Sequence, residues 1–281
     1  MGTIFNSKVF KGVSVAGKIV EGMAKNGVVF WQDIDVEVGI FASKTVLTDT
    51  EKYALDKFVK DLKQANLYDK IKVLYPMIGS TSSSCSLDLI SSNNNIFNLK
   101  FFGGWVFDKN GITPNGINTY ANSNFKPSER MVLGDEGYTI SIGTFPNDTT
   151  PDPVVIGSMN GLSQASLMVI TEKTNRFTTR LNGTFRKIDT QGVGIYSISA
   201  IGNNGLMKKS NSVLTFTRDG TLPTLDVYLG NMTYGSGAYG SGYTTKRIQT
   251  TVFHKGLTEI EITYLQTIIS DFENSLGRKT W

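Results

Sequence analysis

From Tyr138 to Val252 the chain reads as a run of short strands separated by turn signals, and few folds accommodate such a run. Tyr138, Ile140 and Ile142 alternate with Thr139, Ser141 and Gly143, the period-two pattern of a half-buried strand. Val154 to Ile156 and Leu167 to Ile170 are short apolar strands. Arg176 to Leu181 and Thr184 to Ile188 flank Asn182-Gly183, a pair suited to the positive φ angles of a tight hairpin. Tyr196, Ile198 and Ala200 alternate again, as do Leu214 and Phe216 ahead of an Asp219-Gly220 turn. Leu225, Val227 and Leu229 form a further strand, and Ile248, Thr250 and Val252 the last. Many short strands at this spacing predict a sandwich or a barrel. The composition agrees: 40% of the 281 residues are hydrophobic, enough for a core, and 29 glycines against 7 prolines suit a turn-rich β chain.

The stretch Lys100 to Asn122 precedes that run. An alternating apolar strand (Phe97, Leu99, Phe101) meets Gly103-Gly104 and Trp105, followed by the turns Asn110-Gly111 and Pro114-Asn115-Gly116 and the polar-aromatic tail Asn118, Tyr120 and Asn122. We read it as a corner. The glycines bend a strand, Trp105 fills the core, and the Asn-Gly and Pro-Asn-Gly steps turn the chain.

Two helices are legible from their caps. Thr48 and Glu51 form a capping box, Leu47 is the staple, and Leu55, Phe58, Val59 and Leu62 make one apolar stripe, predicting a helix near 49–66. Thr258 and Glu261 repeat the box ahead of Leu265, Ile268, Ile269 and Phe272, with Gly277 as the stop, predicting a helix near 258–276. Both serve as apolar lids on the sandwich. Residues 1–46, with a hairpin around Asn26-Gly27, are expected to form a small β-rich docking segment ahead of a domain spanning 47–281.

The chemistry-bearing residues are sparse. The formal charge of +4 is spread along the chain, so no nucleic-acid footprint emerges, and no stretch approaches a membrane span. One cysteine (Cys85) and one histidine (His254) leave no disulfide framework, zinc cluster or Ser-His triad, and the serines around Ser84 read as a polar loop. No phosphate-cradling glycine motif occurs, so no cofactor is expected. In Gln32 to Val38, strand spacing would put Asp33, Asp35 and Glu37 on one face, which resembles the Glu-Ile-Asp-Ile-Glu of laminarinase-type glycosidases. Asp33 is one methylene short for a nucleophile and the segment precedes the strand-rich region, so the preferred reading is an exposed acidic strand face. The expectation is a protein that is not an enzyme, with no catalytic or metal-binding residue. A contact surface is expected at Tyr234, Tyr239 and Tyr243, three tyrosines on Gly/Ser backbone that suit adaptable recognition, and at Tyr120.

Several segments carry a resemblance. Asn66-Leu-Tyr-Asp-Lys-Ile-Lys-Val-Leu-Tyr-Pro-Met-Ile-Gly79, Phe102-Gly-Gly-Trp105, Pro114-Asn-Gly116 with Tyr120-Ala-Asn122, and Leu257-Thr-Glu…Phe272-Glu-Asn-Ser-Leu-Gly-Arg278 resemble concanavalin A-like (laminin-G/lectin-type) domains of tailed-phage virion proteins, of the kind seen in Bacteroidetes and crAss-like phages. Gly17 to Trp31 is similar to the strand-turn-strand repeats of phage tail and baseplate components. The resemblance covers about 66–278. It implies a mainly β, concanavalin-like two-sheet jelly roll with two capped flanking helices and a small N-terminal β segment. It also implies a structural virion protein (capsid decoration, head fibre or tail component), made in the host cytoplasm and docked to other virion proteins. Homo-oligomerisation and contact with a host-surface glycan are further implications. A glycan-binding lectin module is the alternative, and a laminarinase-like hydrolase a third reading.

Overall fold

A computed structural model describes residues 34–91, 94–144, 153–171, 176–183, 185–190, 192–239 and 242–278, and the backbone of four short strands between 13 and 32. Those four, β1 (Val13–Val15), β2 (Lys18–Val20), β3 (Gly22–Lys25) and β4 (Val28–Gln32), pair as β1-β2 and β3-β4. The Asn26-Gly27 turn itself lies outside the described residues. Next come α1 (Val36–Ala42), α2 (Asp49–Gln64), β5 (Ile71–Tyr75) and the single turn α3 (Ser82–Cys85), which replaces part of the expected Ser/Thr loop. The corner region contains β6 (Lys100–Phe102), β7 (Trp105–Asp108), β8 (Gly111–Pro114), β9 (Tyr120–Asn122) and α4 (Pro127–Arg130). Longer strands follow: β10 (Asp135–Ile142), β11 (Val154–Gly161), β12 (Gln164–Thr171), β13 (Arg176–Leu181), β14 (Phe185–Ile188), β15 (Gly194–Ile201), β16 (Asn204–Lys209) and β17 (Ser212–Thr217). The chain closes with β18 (Tyr228–Leu229), β19 (Thr233–Tyr234), β20 (Gly237–Ala238), β21 (Ile248–His254) and α5 (Glu259–Ser275).

The strands make two largely antiparallel sheets packed as a sandwich. The first runs β17-β16-β15-β10-β21-β8-β7, with β5 also on β21. The second runs β14-β13-β12-β11-β18-β9-β6, with the β19-β20 hairpin beside β11. Tyr138, Ile140, Ile142 and Ile198 of the first sheet meet Ile156, Met168, Ile170 and Phe177 of the second in the inter-sheet core. The corner expected at Gly103-Gly104 is present, because β6 belongs to one sheet and β7 to the other. Gly103 has φ of 79° there, and a Cβ would sit 2.5 Å from the Asn118 carbonyl oxygen. Trp105, expected in the core, is half-buried against it instead. Its Nε1 donates to the Phe102 carbonyl (3.0 Å), and its ring meets Phe101 edge-on at 5.5 Å.

Both capped helices lie on the outer face of the first sheet. Phe58 of α2 stacks on Phe272 of α5 (4.6 Å), and Leu55, Leu62, Leu265 and Ile269 share a second core with Ile195, Leu206 and Val252. Thr139 and Ser141, which alternation would place toward water, are therefore fully buried. They are satisfied by a polar seam: Thr139 Oγ1 lies 2.9 Å from Ser197 Oγ and 3.0 Å from His254 Nε2. Ser141 Oγ donates to Gln249 Oε1 (3.0 Å), and Gln266 of α5 donates to Ser197 (2.9 Å). Burial lowers the His254 pKa to about 4, so the ring is neutral.

The acidic strand face expected over 32–38 gives way to a helix. Asp35 is the N-cap of α1, its side chain accepting from Glu37 N (3.2 Å) and its own N–H donating to Asp56 (2.7 Å). Asp35 and Glu37 both pair with Lys63 at 2.8 Å on the surface of α1 and α2, and hydrogen bonds from Glu37 and Lys63 hold the Asp35 carboxyl below its usual range. They line no cleft on a sheet. Asp33 lies outside the described residues.

Candidate functional site

Among the described residues, no helix packs on the outer face of the second sheet, and that face gathers aromatic side chains. The register decides which residues share it. Phe101, Ala121 and Leu229 point into the core, so their neighbours Phe102, Tyr120 and Tyr228 point out. Phe102 pairs with Tyr120, and Tyr228 with Asn122. The three rings form a continuous stack across β6, β9 and β18: Phe102 to Tyr120 is 4.7 Å and Tyr120 to Tyr228 is 4.7 Å, each pair 13° from parallel. Phe102, at the sheet edge, is 43% exposed, and the two tyrosines are half-buried. Burial, with Tyr120 and Asp226 nearby, raises the Tyr228 pKa, which keeps its hydroxyl a donor well into the alkaline range. Polar groups border the stack: Asn122 Nδ2 donates to Asp226 Oδ2 (3.0 Å), and Lys100 pairs with Asn122 across the strands and is exposed.

The tyrosine loop lies beside this stack. Tyr228 pairs with Gly157 and Tyr234 with Met159, so both flank the same side of β11, about 7 Å apart along the strand. Tyr234 is 47% exposed and meets Tyr239 edge-on at 5.8 Å. Tyr239 is half-buried and packs with Met159 on a small cluster of Val154, Ala165 and Met232. Its carbonyl accepts from Asn231 Nδ2 (2.8 Å), which fixes the hairpin on the sheet. Tyr243 is half-buried at the hairpin's return. The structure thus brings Tyr120, Tyr234 and Tyr239 of the expected contact set to one sheet face. Phe102 and Tyr228 complete it and were not foreseen. Each occupies the solvent phase of an apolar alternation, Phe102 beside Phe101 and Tyr228 between Val227 and Leu229, and an aromatic at that phase was the available signal. Among the described residues, no group of three or more His, Cys, Asp or Glu is placed to hold a metal ion.

No family model and no curated protein matches the chain. Solved structures do. A mutant of Trypanosoma rangeli sialidase displaying trans-sialidase activity aligns with TM-score 0.51 at 10% identity, over 80% of this chain and 39% of the sialidase. Domain 4 of AbnA, a GH43 extracellular arabinanase from Geobacillus stearothermophilus, in complex with arabinotriose, aligns with TM-score 0.46 at 12% identity, over 70% of this chain and 99% of that domain. A structure described as a receptor binding domain aligns with TM-score 0.48 at 10% identity, over 73% and 52%. At such identities the likeness to the sialidase is one of fold, a two-sheet β-sandwich of the jelly-roll kind. The chain spans 39% of the length of the Trypanosoma rangeli sialidases it matches. The match corrects one expectation. The sequence led to the expectation of a protein that is not an enzyme, and a sialidase that shares this fold over 80% of the chain overturns that expectation.

Proposed function

We propose that this protein binds carbohydrate on the outer face of its second sheet. The observation that carries the reading is the Phe102–Tyr120–Tyr228 stack on the sheet face that none of the described helices covers. A sugar ring presents an apolar C–H face and a rim of hydroxyls. It is matched by a fixed aromatic wall with an exposed outer ring, Phe102, bordered by tyrosine hydroxyls, Asn122 and Asp226. Tyr234, on its hairpin beside the stack, adds an adaptable contact. A glycan array probed with the full chain tests this, followed by titration of Phe102→Ala and Tyr120→Ala. Each substitution should weaken binding about tenfold or more, as loss of a stacking partner does, with unfolding temperatures showing the variants folded. An array on which a control lectin binds and this protein does not would overturn the reading.

The setting is a further part of the proposal and rests on the sequence resemblance alone. The sandwich would be displayed on a phage virion made in the host cytoplasm, docked to other virion proteins through residues 1–46, as a homo-oligomer facing a host-surface glycan. Co-sedimentation with purified particles is the check, and absence from them refutes the setting without touching the binding site.

A further inference from the structure

The aromatic stack occupies one edge of the second sheet, and a different kind of site occupies the other. Cross-strand partners run in a single row from Tyr228 through Gly157, Leu167 and Arg180 to Phe185. Phe177 and Leu181 face the core, so Arg180 and its partner Phe185 face outward, on the same side as the stack. Three strand spacings, about 14 Å, separate Tyr228 from Arg180. The Tyr239 cluster sits on the strands between them.

Arg180 is only 6% exposed, although it lies on an outer face. Its guanidinium lies 3.9 Å from the Phe185 ring centroid, and one Nη donates to the Leu162 carbonyl (3.1 Å). Its Nε–H is buried without a hydrogen-bond partner, a costly arrangement unless something else accepts that proton. The side chain lines an open cleft of about 300 Å³ together with Leu162, Ser163, Gly183, Asp219 and Gly220. Asp219 places its carboxylate over Gly183, where a Cβ would come within 1.8 Å of Oδ1. Leu162 (69% exposed) and Phe185 (49% exposed) supply apolar surface beside these groups.

We propose that this cleft is a second sugar contact on the same sheet face, one that selects neutral rather than acidic glycans. The proposal rests on the carbohydrate reading above and names the class of sugar. A vicinal diol fits the pair: one hydroxyl accepts from the part of the Arg180 guanidinium that lines the cleft while its neighbour donates to the Asp219 carboxylate. A uronate or sialate carboxylate would meet Arg180 equally well, but Asp219 in the same small cleft repels it. An oligosaccharide lying across the strands, over the tyrosine hairpin, reaches both the cleft and the aromatic stack.

The test uses the full chain on an array carrying neutral and acidic oligosaccharides, then titrates an array-positive tetrasaccharide into wild type, Arg180→Gln, Asp219→Asn and Phe102→Ala. The expected result is binding confined to neutral glycans, with each variant about tenfold weaker, since each loses one charge-assisted hydrogen bond to the sugar or one stacking face. Asp219 is exposed, so Asp219→Asn carries the test if Arg180→Gln fails to fold. Preference for acidic glycans overturns the proposal, as does wild-type affinity in Asp219→Asn. If Phe102→Ala alone weakens binding, the aromatic site stands and the second contact falls. If wild type binds nothing on the array, both fall.

Discussion

Glu136 lies between the sheets with no exposed surface. Asn182 donates to its Oε1, while Oε2 has no hydrogen-bond partner. Desolvation raises its pKa from 4.5 to about 7, against the opposing pull of Arg218 and nearby backbone amides. The sign of the linkage follows. The folded state holds the proton more tightly than the unfolded chain does, so this group's stabilisation is complete below pH 4.5 and declines as pH rises to about 7. His254 acts in the opposite sense. Its pKa falls from 6.5 to about 4, so its contribution is complete above pH 6.5 and lost as pH falls toward 4. Over pH 4.5–6.5 the two slopes oppose each other, and wild-type stability should be nearly flat there. Glu136→Gln removes one of them. The variant should gain about 1–3 kcal/mol at pH 8 relative to wild type, and its stability should rise steadily between pH 4 and 6.5. Urea unfolding at four pH values reads both effects, and a wild-type-like profile in the variant would refute the assignment.

A buried latch fastens α5 to the first sheet. Arg278, just past α5, is fully buried with Glu273 (3.0 Å) and donates to the carbonyls of Met77, Pro76 and Lys109, while Glu273 accepts from Thr250 N–H on β21. Arg278→Met would leave a buried carboxylate uncompensated and three carbonyls without their donor. A loss of about 3–5 kcal/mol is expected in chemical denaturation, against about 1 kcal/mol for removing the α5 cap with Thr258→Ala. A loss for Arg278→Met no larger than that for Thr258→Ala would show that the latch is dispensable. Elements such as α5 were legible in the sequence because local chemistry specifies them: Thr258 and Glu261 cap α5, Asn182 takes the positive φ of its hairpin (59°), and Gly103 turns the corner between sheets. What covers each sheet face was not legible. Alternation sorts residues onto two faces without naming the neighbour, so Thr139 and Ser141 read as wet although α5 buries them. Phe102 and Tyr228 went unnoticed for the same reason: each stands at the phase that normally carries polar residues. The Asp33–Glu37 pattern misled because Asp35 caps a helix as readily as it alternates on a strand, and the Val38 and Phe41 contacts with α2 decided for the helix.

On the scale of the whole molecule, the two outer faces divide the work. The first sheet spends its outer face on α2 and α5 and gains a second core. The second sheet keeps its outer face for aromatic and hydrogen-bonding groups, with both signs of charge at each end: Lys100 and Asp226 flank Asn122 at the stack, and Arg180 and Asp219 line the cleft. The net charge of +4 on 281 residues adds no strong field. The proposed carbohydrate contact would be made through ring contacts and hydroxyl hydrogen bonds, with few counterions to release. Its affinity for a neutral oligosaccharide should therefore change less than about twofold between 50 and 500 mM NaCl. A protein neutralising 6–10 phosphates on nucleic acid instead loses about 10³–10⁵ in affinity between 50 and 200 mM. Calorimetric titration of the array-positive tetrasaccharide at several salt concentrations makes the distinction. A steep fall with salt would mean that charge, and not the aromatic face, holds the ligand, and would move the search for the site to the lysine- and arginine-bearing surfaces.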